Sequence, residues 1–318
     1  MTEKDTYRQW AEEQEDLPIF YRPWWLDAVC AGKDWDAMVF RNAQGHIVAA
    51  MPYLIRKRWW FTFVLMPQQT QLGGVWMTEA ADPKQVAKEV AERIHAMRLN
   101  YYYQHYPLGS PLPHLLVEEG FLVRERFTYR IEDTSDMETV LRHLNKNKSR
   151  QLQHAEKAGL KVDLTMSAEE FYRNHKRCLM QMGRSISYTR EFLLVLERKT
   201  ARHEQSQILA IRTAGGDLAA AVYLVWDKRS MYYLIPYYNP KYKDLGASAM
   251  LVMEAVRLAG EKGLIFDFEG SMVPGIAAHY HQFGSDPSLY CSVEYHWGGL
   301  FRLLLRIQQF WVHHHNQI

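Results

Sequence analysis

The sharpest local chemistry in the chain is the stretch Lys243-Asp-Leu-Gly246-Ala-Ser248, which follows a strand-like run ending at Pro236 and directly precedes a long apolar stretch. A glycine at this place lets the backbone approach a ligand. The free N–H groups at a helix start, with the positive end of the helix dipole, form a site for a pyrophosphate. Lys243, Leu245, Gly246, Ala247 and Ser248 are the candidate binding residues. The same residues fit an ordinary helix start capped by Ser248. Further along, Asp267 and Glu269 alternate with Phe266 and Phe268, so both carboxylates face one side of a short strand. Attack by an amine on a thioester or ester needs a base, stabilisation of the oxyanion and an acid for the leaving group. A buried pair of carboxylates would hold protons more tightly than free ones and could act as that base, directly or through water. In the competing reading, Asp267 is a structural partner of a backbone N–H or of Arg257. His279 and His281 flank Tyr280, and either a structural role or a proton relay fits them. Tyr232, Tyr233, Tyr237 and Tyr238 crowd the strand before the loop; of these, Tyr237 and Tyr238 lie past Pro236, where a substrate could touch them.

These residues need a frame, and the sequence writes that frame twice. Residues 39–58 laid over 210–229, at a constant offset of 171, share seven identities in twenty without a gap. Arg41, Gly45, Ala49 and Ala50 meet Arg212, Gly216, Ala220 and Ala221. Each copy reads as a hairpin, strand runs around a turn rich in Asn and Gly, followed by strand, helix, strand, helix, strand. In the first half, Val86, Val90, Ile94 and Met97 mark the apolar face of a helix that begins near Pro83. Pro52 inside a strand implies an edge or a bulge. The second half opens with a predicted helix over 137–158 and two more over 168–182 and 189–202. The hairpin then returns, and Ser230 to Ile235 is expected to stop at Pro236. A covered helix over 247–262, a strand over 264–268, a helix over 274–283 and a last strand over 290–297 complete the unit. A final helix is expected over 300–312, docked on its own domain or against a membrane surface or partner.

With 318 residues, 47% of them hydrophobic, the chain suits two domains of about 150 residues each. The expected boundaries are 1–133 and 134–318. A formal charge of +2 from 38 basic and 36 acidic residues gives no global field toward nucleic acid or an anionic membrane, so such a partner would need a local patch. Cys30, Cys178 and Cys291 are odd in number and far apart, which fits reduced core thiols and neither a disulfide framework nor a metal site. The charged amino terminus and the lack of a long apolar run point to a soluble cytoplasmic protein with no membrane span. His313 to His315 are read as native residues without a metal role.

The order of strand, basic-x-x-Gly-x-small loop, helix, strand and tyrosine-bearing helix resembles the acyl-CoA N-acyltransferase (GNAT) superfamily. Lys243, Gly246 and Ser248 stand at the three places of the loop pattern, with lysine where arginine or glutamine is usual. The resemblance implies an α/β fold of two tandem GNAT-like domains, each a mixed, mostly antiparallel sheet flanked by helices. It also implies acyl-CoA, such as acetyl-CoA, as co-substrate, with its pyrophosphate on the loop. The acyl carbonyl would lie on backbone beyond Tyr233, and Tyr280 would protonate the leaving thiolate. Leu144-Asn-Lys-Asn-Lys-Ser-Arg150, Ala155-Glu-Lys-Ala-Gly159, Phe266-Asp-Phe-Glu-Gly270 and Phe283-Gly284 are similar to Fem-type peptidyltransferases, which consist of two GNAT units, and to related tandem bacterial proteins.

Where Fem-type enzymes that use aminoacyl-tRNA carry Phe-Lys, this chain reads His281-Gln282-Phe283, which argues against tRNA as donor. Lys146, Lys148, Arg150, His154, Lys157 and Lys161 form a basic cluster that argues for it, unless the cluster is a solvated helix face, the reading preferred here. Leu116, four residues before Gly120, occupies the place that Tyr280 holds before Gly284. The Gln71-Leu-Gly-Gly74 loop of the first half does not lead into a helix. Only the second half is therefore expected to bind an acyl donor. The expected activity is N-acyl transfer from acyl-CoA to a small-molecule or peptide amine. The alternatives are an aminoacyl-tRNA-dependent ligase acting on a cell-wall precursor and a non-catalytic ligand-binding tandem protein.

Overall fold

The computed structural model describes residues 1–30, 35–270 and 272–297. They form two compact units: Met1–Arg126 with the residues from Leu289 onward, and Phe127–Ser288. The helix expected over 300–312 and the histidines His313 to His315 lie outside the described residues.

The first unit opens with α1 (Glu3–Glu13), whose N-cap Thr2 and Asp5 satisfy each other's backbone N–H groups in a capping box. The helix α2 (Pro23–Val29) starts on a proline, which has no N–H to leave unsatisfied. The hairpin of β1 (Trp35–Arg41) and β2 (Ile47–Arg58) follows, then β3 (Phe61–Leu65), antiparallel to β2, and the short β4 (Trp76–Met77), which also pairs with β2. After α3 (Pro83–Ala96) the chain returns as β5 (Tyr101–Tyr106), parallel to β3, and then α4 (Leu112–Glu118). Pro52 lies between the β2 residues that pair with β4, Ala49 and Ala50, and those that pair with β3, from Leu54 on, so its missing N–H interrupts no ladder on that side. The apolar face of α3, Val86, Val90 and Ile94, packs with Met51, Tyr102 and Leu116 in one core.

The strand β6 (Leu122–Ile131) carries the chain into the second unit. There follow α5 (Met137–His143), α6 (Lys146–Lys157), β7 (Lys161–Asp163), α7 (Ala168–Gln181), α8 (Arg190–Arg202), β8 (Ser206–Arg212), β9 (Leu218–Trp226), β10 (Ser230–Tyr238), α9 (Ala247–Glu261), β11 (Ile265–Asp267), α10 (Pro274–His281) and β12 (Asp286–Tyr295). The sheet of this unit runs β6-β11-β10-β9-β8-β7, antiparallel except for β10 and β11. Each unit is thus a mixed, mostly antiparallel sheet with helices against it. The chain does not change unit at 133/134: β6 residues Arg130 and Ile131 already pair with β11, and β12 residues Cys291 to Tyr295 pair with β5 in the first unit.

The repeat holds in atomic detail. Both hairpins carry a register shift at the same place, between Phe40 and Arg41 and between Ile211 and Arg212. Gly45 and Gly216 take φ of +83° and +88° at the two turns, a conformation that glycine adopts without strain. Arg41 and Arg212 each donate to the carbonyl of the turn glycine.

Two expected elements differ. The helix predicted over 137–158 is two helices, because Leu144 is extended and Asn145 starts a new one, its side chain accepting from Lys148 N at 2.9 Å. The strand predicted to stop at Pro236 continues to Tyr238. Beyond Tyr232 it pairs only with β9, and a proline is tolerated where one side of a strand has no ladder to supply.

Candidate active site

The turn over 240–245 ends on Gly246, at φ +78°, which is also the N-cap of α9 and offers no side-chain cap. A Cβ at Gly246 would lie 1.9 Å from the carbonyl oxygen of Gln151 in α6. Glycine is required here because the α6 backbone packs directly on the turn, and no ligand need approach at that atom. The first turn of α9 is nonetheless open on another side. The N–H groups of Ala249 and Met250 bond back to Gly246 O at 3.0 and 3.1 Å, whereas those of Ala247 and Ser248 precede the first intrahelical acceptor.

Ala247, Ser248 and Lys243 border a cavity of about 410 Å³ within the second unit. Its other walls include Pro236 to Pro240 at and just past the end of β10, His175, Cys178 and Leu179 from α7 with its C-cap Met182, and His279 from α10. Lys243, Ala247, Ser248, Tyr237, Tyr238 and His279, candidates from the sequence, thus border one space. Leu245 packs against the core and Gly246 against α6.

The contribution of α7 was not foreseen. His175 Nδ1 lies 2.8 Å from the Tyr188 hydroxyl, its ring edge-on to Tyr237, and burial pushes its pKa down to about 4, so it is neutral at neutral pH. Cys178 Sγ lies 3.5 Å from Tyr238 O, and burial pushes its pKa up, which disfavours the thiolate a nucleophile needs. Tyr237 is held by burial, then by Cys178, at about 12.

His279 is joined to a residue that the sequence reading placed on a solvated face. Lys148 is 2% exposed. Its ammonium lies 3.2 Å from His279 Nδ1, 3.2 Å from Gln151 Oε1 and 4.7 Å from the centre of the Phe283 ring. No carboxylate pairs with it among the described residues, and burial lowers its pKa to about 8. His279 is pushed down to about 4 by burial first and Lys148 second. While Lys148 is charged it can only donate to Nδ1, so the single imidazole hydrogen sits on Nε2. The other cations of the cluster, Lys146, Arg150 and Lys157 on α6 and Lys161 on β7, are exposed.

The carboxylates and Tyr280 lie apart from the cavity lining. Asp267 is 2% exposed, accepts from the Thr128 hydroxyl and from Glu269 N at 2.7 Å, and lies 3.9 Å from Arg130 Nε. It is a structural partner of a backbone N–H, and its arginine is Arg130; Arg257 pairs instead with Glu254 and Glu261. Glu269 falls beyond the end of β11 at φ +62°, so the two carboxylates do not alternate along one strand. Its Oε1 is buried without a hydrogen-bond partner. Burial, then Asp267, raises its pKa well above the carboxylate range, which makes it a proton holder rather than a resting base. Tyr280 stacks on Phe268 with ring centres 4.4 Å apart, and burial followed by Glu269 lifts its pKa to about 12. Where β10 and β11 part, beyond Tyr232, the aromatic rings of Tyr233, Phe266, Phe268 and Tyr280 pack together, and Tyr233 and Tyr238 join hydroxyls at 2.8 Å.

Residues 141–282 match the profile of the family described as Acetyltransferase (GNAT) domain. No protein of curated function matches the chain in sequence. Among solved structures, FemX shares 10% identity at a TM-score of 0.68, over 91% of this chain and 95% of that one. L-PGS from Bacillus licheniformis shares 13% at 0.61, over 97% of each chain. A tandem GNAT protein from the clavulanic acid biosynthesis pathway shares 11% at 0.54, over 86% of this chain and 94% of that one. At these identities the likeness is one of fold. Residues of the second unit, around the cavity at the uncapped start of α9, are thus similar to a GNAT acetyltransferase domain, within a chain whose fold is similar to FemX and to a tandem GNAT protein.

Proposed function

We propose that the second unit transfers an acyl group from acyl-CoA to an amine, with the donor in the cavity of about 410 Å³. The observation that carries this reading is a helix start without a side-chain cap, with Lys243 beside it, opening on a mostly apolar space. A pyrophosphate suits the N–H groups of Ala247 and Ser248 and the positive end of the α9 dipole. The pantetheine and acyl parts suit the walls given by Leu179, Met182, Pro236 and Tyr237. The neutral amine adds to the thioester carbonyl, the C–N bond forms, and the oxyanion collapses with cleavage of the C–S bond. The proton lost by the amine is taken up by the departing thiolate. His279, whose Nε2 carries hydrogen while Lys148 is charged, is the side chain at the cavity suited to donate to the oxyanion. Tyr280, one residue further, belongs to the aromatic cluster, so a direct proton from it to the thiolate requires that cluster to open.

An aminoacyl-tRNA donor, with a cell-wall precursor as acceptor, is the second reading. The exposed cations Lys146, Arg150 and Lys157 of α6 and Lys161 of β7 favour it, since the first three extend along the helix that packs on Gly246.

Calorimetric titration of wild type and Ser248→Asp with CoA and acetyl-CoA tests the choice. An acidic residue in the first turn of a helix is stabilising, so lost binding would not reflect unfolding. The expected result is binding by wild type and at least about tenfold weaker binding by the variant. Absence of CoA binding together with retention of charged tRNA would move the donor to tRNA. Absence of both would leave a ligand-binding tandem unit.

A further inference from the structure

The hairpin between β2 and β3 closes on a two-residue turn, Trp59-Trp60, since Arg58 pairs with Phe61. Trp59 and Trp60 are 78% and 79% exposed. Two-residue hairpin turns favour Gly, Asn and Asp, and Trp59 takes a φ of +56° at a cost that glycine would avoid. Neither backbone preference nor burial in the first unit accounts for two large rings at this tip. Cations surround them: Lys57 and Arg58 are exposed, the Arg58 guanidinium lies 5.5 Å from the centre of the Trp59 ring, and the chain carries no acidic residue between Asp36 and Glu79.

We infer that the Trp59-Trp60 hairpin docks the protein on an anionic lipid surface, the two indoles entering the interfacial layer while Lys57 and Arg58 meet the headgroups. Indole rings, apolar in body and polar at the N–H, settle at the boundary between headgroups and acyl chains, and adjacent cations add attraction to anionic lipid. A protein partner fits less well. Two tryptophans bury roughly 300–500 Å², short of the roughly 800 Å² per partner of a stable interface. Single-stranded nucleic acid would need free ring faces for stacking, but Trp59 has Arg58 over it and Trp60 packs against both Trp59 and Phe61, with ring centres 5.8 and 5.6 Å apart. A bilayer accepts rings in any of these orientations.

The test uses the full chain in co-sedimentation with vesicles of phosphatidylcholine alone or with about one third phosphatidylglycerol. Wild type is expected to bind the anionic vesicles, and the double variant Trp59→Ser, Trp60→Ser to bind at least about tenfold more weakly. Lys57→Glu with Arg58→Glu should erase the preference for anionic over neutral vesicles. All four side chains are exposed, so unchanged thermal unfolding confirms that the variants remain folded. The proposal falls if wild type ignores vesicles or if the tryptophan variant binds them equally. It also falls if vesicles are ignored while the tryptophan variant abolishes a dimer or the retention of a single-stranded oligonucleotide, since the tip would then serve a second copy or nucleic acid.

Discussion

The two helices that connect parallel strand pairs, α3 between β3 and β5 and α9 between β10 and β11, occupy the same place in the repeat and begin in opposite ways. α3 begins on Asp82, whose carboxylate accepts from Lys84 N at 3.0 Å, and on Pro83, which has no N–H. α9 begins on Gly246 with no side-chain cap and with Ala247 and Ser248 at the cavity. In the first unit the chain supplies its own anion to the positive end of the helix; in the second that end has no side-chain cap and borders a cavity, as the proposed donor site requires. The next helix differs in the same sense. Leu116 is fully buried in its core, whereas Tyr280 at the matching place is only partly buried. The frame is repeated down to the shifted register of the hairpin, and the two copies differ in residues at one helix start and one helix face.

The largest expected effect breaks the likeness of the glycines. Gly246→Ala must push a Cβ against the α6 backbone and also hold an alanine at positive φ, so a loss beyond about 3 kcal/mol is expected. Gly45→Ala, at a similar φ but with nothing within 4 Å of its Cβ, should cost only about 1–2 kcal/mol. Urea unfolding of both variants checks this, and equal losses would remove the packing role assigned to Gly246. The buried ammonium on α6 gives the next effect. Lys148 is held near 8 against an ordinary value of 10.5, so between these values the unfolded chain binds more protons than the folded one and stability rises with pH. The charge costs up to about 3 kcal/mol below pH 8, and this cost shrinks as pH approaches 10.5. Lys148→Met should therefore be more stable than wild type at pH 7, with the difference narrowing toward pH 10. A constant difference across that range would mean that Lys148 keeps its proton and has a counter-charge.

How much of this was legible from residues alone follows from the range of each signal. The hairpins, the α9 start and the tyrosines after Pro236 are local patterns, and the last two border one cavity. Gly246 was legible as an obligatory glycine but not for its reason, because the carbonyl it faces is on Gln151, nearly a hundred residues earlier. Lys148 sits among lysines and arginines that are solvated, and nothing in the spacing distinguishes the one whose stem points inward. His175 and Cys178 lie on an amphipathic helix far upstream of the loop, where apolar periodicity reports a buried face without reporting what it faces. The carboxylates failed for a shorter-range cause: alternation was extended two residues past the true end of β11, where Glu269 leaves the strand at positive φ. The end of β12 was hidden by topology, since a strand's own residues do not say which unit it pairs with.

The smallest effect tests whether matched residues still do matched work. Arg41 and Arg212 both hold their turn glycine, but Arg212 also places Nε 2.6 Å from Asp163 on β7 and Nη2 2.9 Å from Glu170 on α7. Arg41 has exposed surroundings and a single bond of 2.6 Å to Gly45 O. Arg212→Ala removes two charge-assisted bonds from a partly buried site and should cost about 1–2 kcal/mol, whereas Arg41→Ala should cost under about 0.5 kcal/mol. Because Glu170 belongs to the helix that lines the cavity, the loss at Arg212 should also lower donor affinity by a few-fold, and Arg41→Ala should leave it unchanged. Equal stability losses for the two arginines would mean that the turn bond, common to both copies, is the whole of their contribution. A loss at Arg212 with unaltered donor binding would instead confine its role to tying β7 and α7 to the hairpin.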